Sequence, residues 1–310
     1  MKRRNKCVCW FVGILLVLVL VLLGAGQYFI FTALTPLPAL TPEDEKELAK
    51  DAYPELASWV DTLTLRDTSI VDARGLRLNA YYAPCESSRR TAIIVHGYQG
   101  TGLHFLNLAY MYRECLHANI FLPDLSAHGM SEGDVIGMGW FDRLDILEWV
   151  KVAEDVFGDS THIVLHGVSM GAATVMMVSG EDTPASVKAF VEDCGYTSVW
   201  DEFKGELKKG YGLPAFPIMH VTSLLNKIEN GWSFREASAL EAVKRSTKPM
   251  LFIHGDSDDF VPTAMVYPLY EAKKGKKELY LVPGAEHAKA YKKDAEVYTR
   301  KVEGFLQGLW

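Results

Sequence analysis

Six short apolar runs recur along the chain, separated by stretches with helical patterning: TAIIV from Thr91, NIFLP from Asn119, HIVLH from His162, KAFVE from Lys188, MLFIH from Met250 and ELYLV from Glu278. Runs of this length suit strands buried on both faces, and strands alternating with helices dictate a mostly parallel sheet with helices on both sides. The fold class is therefore α/β. Thr68 to Asp72 and Leu76 to Tyr82 read as two further strands joined at Ala73-Arg74-Gly75, so an antiparallel hairpin opens the domain. Val302, Phe305, Leu306 and Leu309 follow i, i+3, i+4, i+7 spacing, which predicts a terminal helix docked on the sheet. The rhythm stops between Gly195 and Lys248, where GYGLPAFP and IENGWSF are rich in Gly, Pro and aromatics. An insertion there lies over the carboxyl ends of the strands, where ligands bind, and is expected to form a small helical cap at about 195–248. The alternative is a helical excursion with no part in chemistry.

The N-terminus adds a second constraint. Residues 2–6, KRRNK, carry four positive charges, and no charged residue occurs from Val8 to Phe31. A bilayer needs about 20 apolar residues, and a soluble core helix would show a polar face that FVGILLVLVLVLLG lacks. The expected organisation is a cytoplasmic basic tail over 1–7, a transmembrane anchor over 8–31, a linker with a surface helix over 32–58, and a catalytic domain over 59–310. The basic flank stays inside by the positive-inside rule, which puts the domain outside the cytoplasm at the cell membrane. A cleaved signal peptide is the competing reading, with Gly24-Ala25-Gly26 as small residues near a cut site. The protein is exported on either reading.

A net charge of −7 argues against a nucleic-acid footprint. Cys7 and Cys9 lie in or beside the apolar segment, leaving Cys85, Cys115 and Cys194, an odd number without zinc or redox spacing, which read as ordinary thiols. Lys273, Lys274, Lys276 and Lys277 read as a solvated turn. There is no H-E-x-x-H, so neither a metal nor a cofactor is implied.

The chemistry centres on Gly167-Val168-Ser169-Met170-Gly171, set between the strand HIVLH and the small-residue helical run AATVMMVSG. A serine on so sharp a strand-to-helix turn adopts a strained backbone, and glycines two residues to either side avoid clashes. The turn exposes the hydroxyl and places the Met170 N–H at a helix N-terminus, where an oxyanion is stabilised. Such a pentapeptide arises by chance in roughly one chain in ten of this length, so its strand and helix context carries the weight. His96-Gly97-Tyr98-Gln99-Gly100 follows the strand TAIIV and offers the Tyr98 N–H as the second oxyanion donor. Without Ser169 it would be only a Gly-rich turn.

A serine needs a base, and the base needs a carboxylate to fix its tautomer. His254 and His96 end strands beside glycines as turn-framing residues, and His166 precedes the elbow. His287, in Pro283-Gly284-Ala285-Glu286-His287 after the last strand, falls at the carboxyl edge of the sheet. For the acid, HGDSDDFVP from His254 offers Asp256, Asp258 and Asp259, and chemistry alone leaves all three open.

HGYQG at 96, DLSAHGMSEG at 124, HGVSMG at 166, DCGYTSVWDEF at 193, HGDSDDFVP at 254 and PGAEHAKAY at 283 span most of residues 70–310. With these the chain resembles the α/β-hydrolase superfamily, and within it bacterial exported or membrane-bound hydrolases of the serine aminopeptidase-like and acyl-esterase-like group. The resemblance implies an acid four residues after the His of H-G-x-x-D-x-x-V-P, which falls on Asp258, and a histidine of G-A-x-H, which falls on His287. Members often carry Arg where this chain has Ser126, a difference that bears on loop packing.

The expected activity is hydrolysis of a carboxylic ester through an acyl-enzyme on Ser169, with His287 as base and Asp258 orienting it. A small-molecule or acyl substrate and the membrane are the expected partners. One fold hosts many substrates, so an extracytoplasmic peptidase or amidase is the second reading, and a catalytically silent ligand-binding protein the third.

Overall fold

The computed structural model describes residues 2–310, with side chains from Trp10 onward. Met1 and the side chains of the basic flank, Cys7 and Cys9 lie outside that description. An 8-stranded sheet forms the centre, in the order β1-β2-β4-β3-β5-β6-β7-β8. Its strands are β1 (Arg66–Val71), β2 (Arg77–Ala83), β3 (Arg90–Val95), β4 (Asn119–Pro123), β5 (His162–Val168), β6 (Val187–Asp193), β7 (Met250–Gly255) and β8 (Lys277–Val282). The β1–β2 and β2–β4 pairings are antiparallel, and every pairing from β4 to β8 is parallel. Each expected strand is present. β4 and β7 are buried throughout and β3, β5 and β6 at all but one position each, whereas β1 is an exposed edge, as its polar composition requires.

Before the sheet come α1 (Lys2–Leu34), α2 (Pro42–Ala52) and α3 (Ala57–Thr62). α2 starts where it does because Thr41 and Asp44 form a reciprocal capping box, with Pro42 in the first turn. α4 (Leu106–Tyr110), α5 (Asp142–Phe157) and α6 (Met170–Val178) then join successive strands. The segment between β6 and β7 folds into α7 (Val199–Tyr211), α8 (Ile218–Asn230) and α9 (Ala239–Val243), the expected helical cap. Ser198 caps the start of α7, and left-handed Gly212 and Gly231 end α7 and α8. α10 (Val266–Ala272), α11 (Ala290–Lys293) and α12 (Ala295–Leu306) complete the chain. Val302, Phe305 and Leu306 are buried in the apolar layer on one side of the sheet, and α5 and α6 pack in the layer on the other.

Two readings of surface segments are corrected. Lys273 is buried with its ammonium donating to Ser246 O, while Lys276 and Lys277 donate to Phe305 O and Tyr270 O. Lys273 therefore departs from the expected solvated turn, while Lys274 and Lys276 are exposed in it, and three of the four ammonium groups satisfy main-chain carbonyls, including late ones of α10 and α12. The apolar helix also runs three residues past the expected end of the anchor at residue 31. α1 continues to Leu34, where Leu34 O accepts from Ile136 N at 2.8 Å and Ala33 O accepts from the Tyr98 hydroxyl at 2.9 Å. These bonds satisfy carbonyls that a helix C-terminus leaves without partners.

Candidate active site

Ser169 stands between β5 and α6 at φ 58° and ψ −117°, a backbone region costly for any residue with a side chain. The neighbouring glycines permit it. A Cβ at Gly171 would lie 2.0 Å from Val95 O, and one at Gly167 would lie 2.1 Å from Gly171 O. Ser169 N donates to Asp193 O at 2.8 Å, tying the turn to the end of β6.

Three residues from three loops at the carboxyl edge of the sheet meet here. Ser169 Oγ lies 2.8 Å from His287 Nε2, and His287 Nδ1 lies 2.7 Å from Asp258 Oδ2. Asp258 Oδ1 accepts the N–H groups of Phe260 and Val261, each at 3.0 Å. His254 Nε2 sits 3.4 Å from Asp258 Oδ2 and donates to Val261 O. Burial alone would raise the Asp258 pKa, but the adjacent His254 and His287 outweigh it and hold the carboxyl down at about 2. An ionised Asp258 requires the proton on His287 Nδ1, which leaves Nε2 free to accept from the Ser169 hydroxyl.

The other two acids do different work. Asp256 accepts from Ser257 Oγ beside it and from Gly284 N in the loop that carries His287, and the exposed Asp259 carboxylate lies 3.3 Å from Lys209 Nζ. Buried His96 bridges Gly97 O and Leu125 N, as a turn-framing residue should, and His166 lies between the Tyr112 and Tyr298 hydroxyls. Ser126 donates to Asp142, so the position where Arg is common is filled here by a buried hydroxyl–carboxylate pair.

Gly97 brings the loop after β3 against the elbow, where a Cβ on it would lie 3.4 Å from Ser169 Cβ. Tyr98 follows in that loop. The Met170 N–H is in the first turn of α6, where amides have no intrahelical acceptor. A cavity of about 280 Å³ opens over Ser169, walled by Tyr98, Met138, Tyr196, Phe203 and Phe260, and closed on one side by Ala33 of α1. Glu202 also reaches it. Burial pushes its carboxyl up to about 8, which favours the protonated form, and Oε2 has no hydrogen-bond partner.

Among the described residues, Cys194, Asp258 and His287 are the His/Cys/acid group that could hold a metal, with ligand atoms within 4.8 Å of one another. The Asp258 and His287 atoms are already committed to each other and to Ser169. Burial, followed by the nearby Asp193 and Asp258 charges, pushes the Cys194 thiol well above its usual range, so a metal-binding thiolate is disfavoured. Cys85 and Cys115 are likewise free thiols.

Sequence reasoning did not reach His254 as a neighbour of Asp258, nor Ala33 as a wall of the cavity. The amides of Phe260 and Val261 were more accessible, since an Asp two and three residues ahead of free N–H groups is the pattern of an Asx turn.

A strained serine elbow at the edge of a doubly covered parallel sheet defines an α/β hydrolase. Residues 140–309, more than half of the chain, match the prolyl oligopeptidase family, to which the protein belongs. The matched span contains Ser169, Asp258 and His287. Among curated relatives, YqkD of Bacillus subtilis is 29% identical over 240 residues, covering 77% of this chain and 78% of that protein. The α/β-hydrolase domain-containing protein WAV2 of Arabidopsis thaliana is 23% identical, covering 79% of each. The solved esterase Pf2001 of Pyrococcus furiosus has the same fold, with a TM-score of 0.65 and 21% identity over 88% of this chain and 98% of that one. So does Est1E of Butyrivibrio proteoclasticus, solved with ferulic acid, at a TM-score of 0.59 and 22% identity over 78% of this chain and 98% of that one.

Proposed function

We propose that the protein is a membrane-anchored serine hydrolase that cleaves a carboxylic ester through an acyl-enzyme on Ser169. The observation that carries this reading is the Ser169–His287–Asp258 chain, at 2.8 and 2.7 Å, at the mouth of an apolar cavity. Ser169 Oγ attacks the substrate carbonyl carbon while His287 Nε2 takes the hydroxyl proton, and ionised Asp258 stabilises the imidazolium. The N–H groups of Tyr98 and Met170 hold the oxyanion. The bond to the leaving alcohol breaks as His287 returns the proton to it. Water then adds to the acyl-enzyme with the same base, releasing the acid and restoring Ser169, and it is the only co-reactant the balance needs.

The aromatic and aliphatic cavity wall favours an apolar acyl group, in keeping with the esterases that share the fold. Membership of the prolyl oligopeptidase family favours amide cleavage as the second reading. The domain over 59–310, with its cap, is read as lying outside the cytoplasm, because basic residues precede the apolar run and acidic ones follow it. Retention of the anchor is supported by unbroken helix through Gly24-Ala25-Gly26 and by the packing of Gly26 against Val221 and Leu225.

The test is labelling with a small fluorophosphonate, together with rates on a matched p-nitrophenyl ester and p-nitroanilide. The expected mass shift falls on the peptide containing Ser169 and is absent from Ser169→Ala, and the ester is the faster substrate. Labelling elsewhere would remove Ser169 from the mechanism, and an anilide cleaved as fast as the ester would favour the peptidase reading.

A further inference from the structure

α1 is exposed on all sides from Trp10 to Val21, and only from Leu22 does one stripe turn inward: Ala25, Gly26, Phe29, Ile30, Ala33 and Leu34. From Val8, where the uncharged run begins, to Val21 the helix rises about 21 Å, whereas a hydrocarbon core is about 30 Å thick. Counted from Val8, about 20 residues carry the span to the level of Gln27, past the point where the cap already lies alongside. The cap therefore meets the bilayer.

α8 is the element that meets it. It runs antiparallel to α1, with Gly26 against Val221 and Leu225, and Gln27 Nε2 donating to Glu229 Oε2 at 3.1 Å. Its C-terminal half presents Leu224 and Ile228 one turn apart, 60% and 71% exposed. α1 is held firmly in this pose by Tyr98, Ile136 and Gln99, which bond Ala33 O, Leu34 O and Thr35 O.

The cavity over Ser169 has a neighbour of about 240 Å³, and the two share Ala33, Phe203 and Glu206 as walls. The second cavity extends one turn back along α1 to Phe29 and Tyr211, on the bilayer side of Ser169. Its lining is mostly apolar, with the half-buried Glu206 the acid on the wall the two cavities share.

We infer that the substrate is a membrane amphiphile whose ester carbonyl reaches Ser169 while its acyl chain lies along Ala33 and Phe29, entering from the bilayer between α1 and the cap. This rests on the serine-hydrolase reading and on α1 remaining in the membrane. Hydrolysis then releases a fatty acid and leaves the deacylated head group as an alcohol.

The experiment uses the full-length enzyme in phosphatidylcholine vesicles, with p-nitrophenyl laurate in the bilayer and p-nitrophenyl butyrate in solution. Ala33→Trp is expected to lower the laurate-to-butyrate ratio of kcat/KM by about tenfold, the equivalent of roughly two lost buried methylenes. The surface pair Leu224→Asp with Ile228→Asp is expected to lower laurate hydrolysis by about fivefold through weaker seating on the bilayer, with butyrate hydrolysis unchanged. Wild-type ratios in both proteins would overturn the inference while leaving the hydrolase intact. A wild-type enzyme inactive on both esters would instead sink the hydrolase reading, and this inference with it.

Discussion

At the scale of single residues, Asp258 has the most demanding place, because it must stay ionised while shielded from water. It does so by accepting two backbone N–H groups and facing two histidines. Its folded pKa, about 2, lies below the ordinary carboxylate value, so its contribution to stability is fully present above about pH 4 and fades as pH falls toward 2. Asp258→Asn keeps the shape but removes the acceptor that fixes the His287 tautomer. The expected result is a folded protein with kcat lowered by about 10⁴-fold, and a loss of less than about tenfold would rule out Asp258 as the orienting acid. Ser169 and His287 were legible from motif spacing and chain order, but three carboxylates in one loop have the same chemistry on paper. The resemblance pointed to Asp258, and the hydrogen bonds separate the three, with Asp256 holding Gly284 N of the His287 loop and Asp259 facing solvent.

Among the elements, the parallel strands were legible because each is a short apolar run, and the elbow because its glycines have no substitute. What was not legible is the docking of α1 on α8. A helix that faces lipid on one side and protein on the other is apolar all round, so hydropathy shows no stripe. The available signal was the small residues Gly26 and Ala33, which let α8 and the elbow's neighbours approach closely. α7 carries a testable liability in Glu202, whose pKa is raised to about 8 by burial. A raised carboxyl pKa favours the folded state at low pH, and that advantage is lost as pH climbs from the unfolded value to the folded one. Glu202→Gln removes this titration, so its stability relative to wild type should improve between about pH 5 and pH 8, by up to about 1.4 kcal/mol per unit. Urea unfolding of both proteins across that range checks it, and a pH-independent difference would mean that Glu202 does not titrate there.

For the molecule as a whole, the N-terminal helix is both a candidate membrane span and a structural part of the site. It supplies Ala33 to the cavity and hydrogen-bonds through its last turn to the loop that holds Tyr98. A fragment beginning after residue 40 would lack that wall, so activity is best measured on the whole chain. The antiparallel opening hairpin, the buried parallel centre and the inserted cap place three loop residues within hydrogen-bonding reach although they are 29 and 118 positions apart in sequence. The most direct measurement is stopped-flow release of p-nitrophenol from a p-nitrophenyl ester by the full-length protein and by Ser169→Ala. A burst stoichiometric with wild-type enzyme and absent from Ser169→Ala is the expected result. Equal turnover without a burst in both proteins would contradict an acyl-enzyme on Ser169.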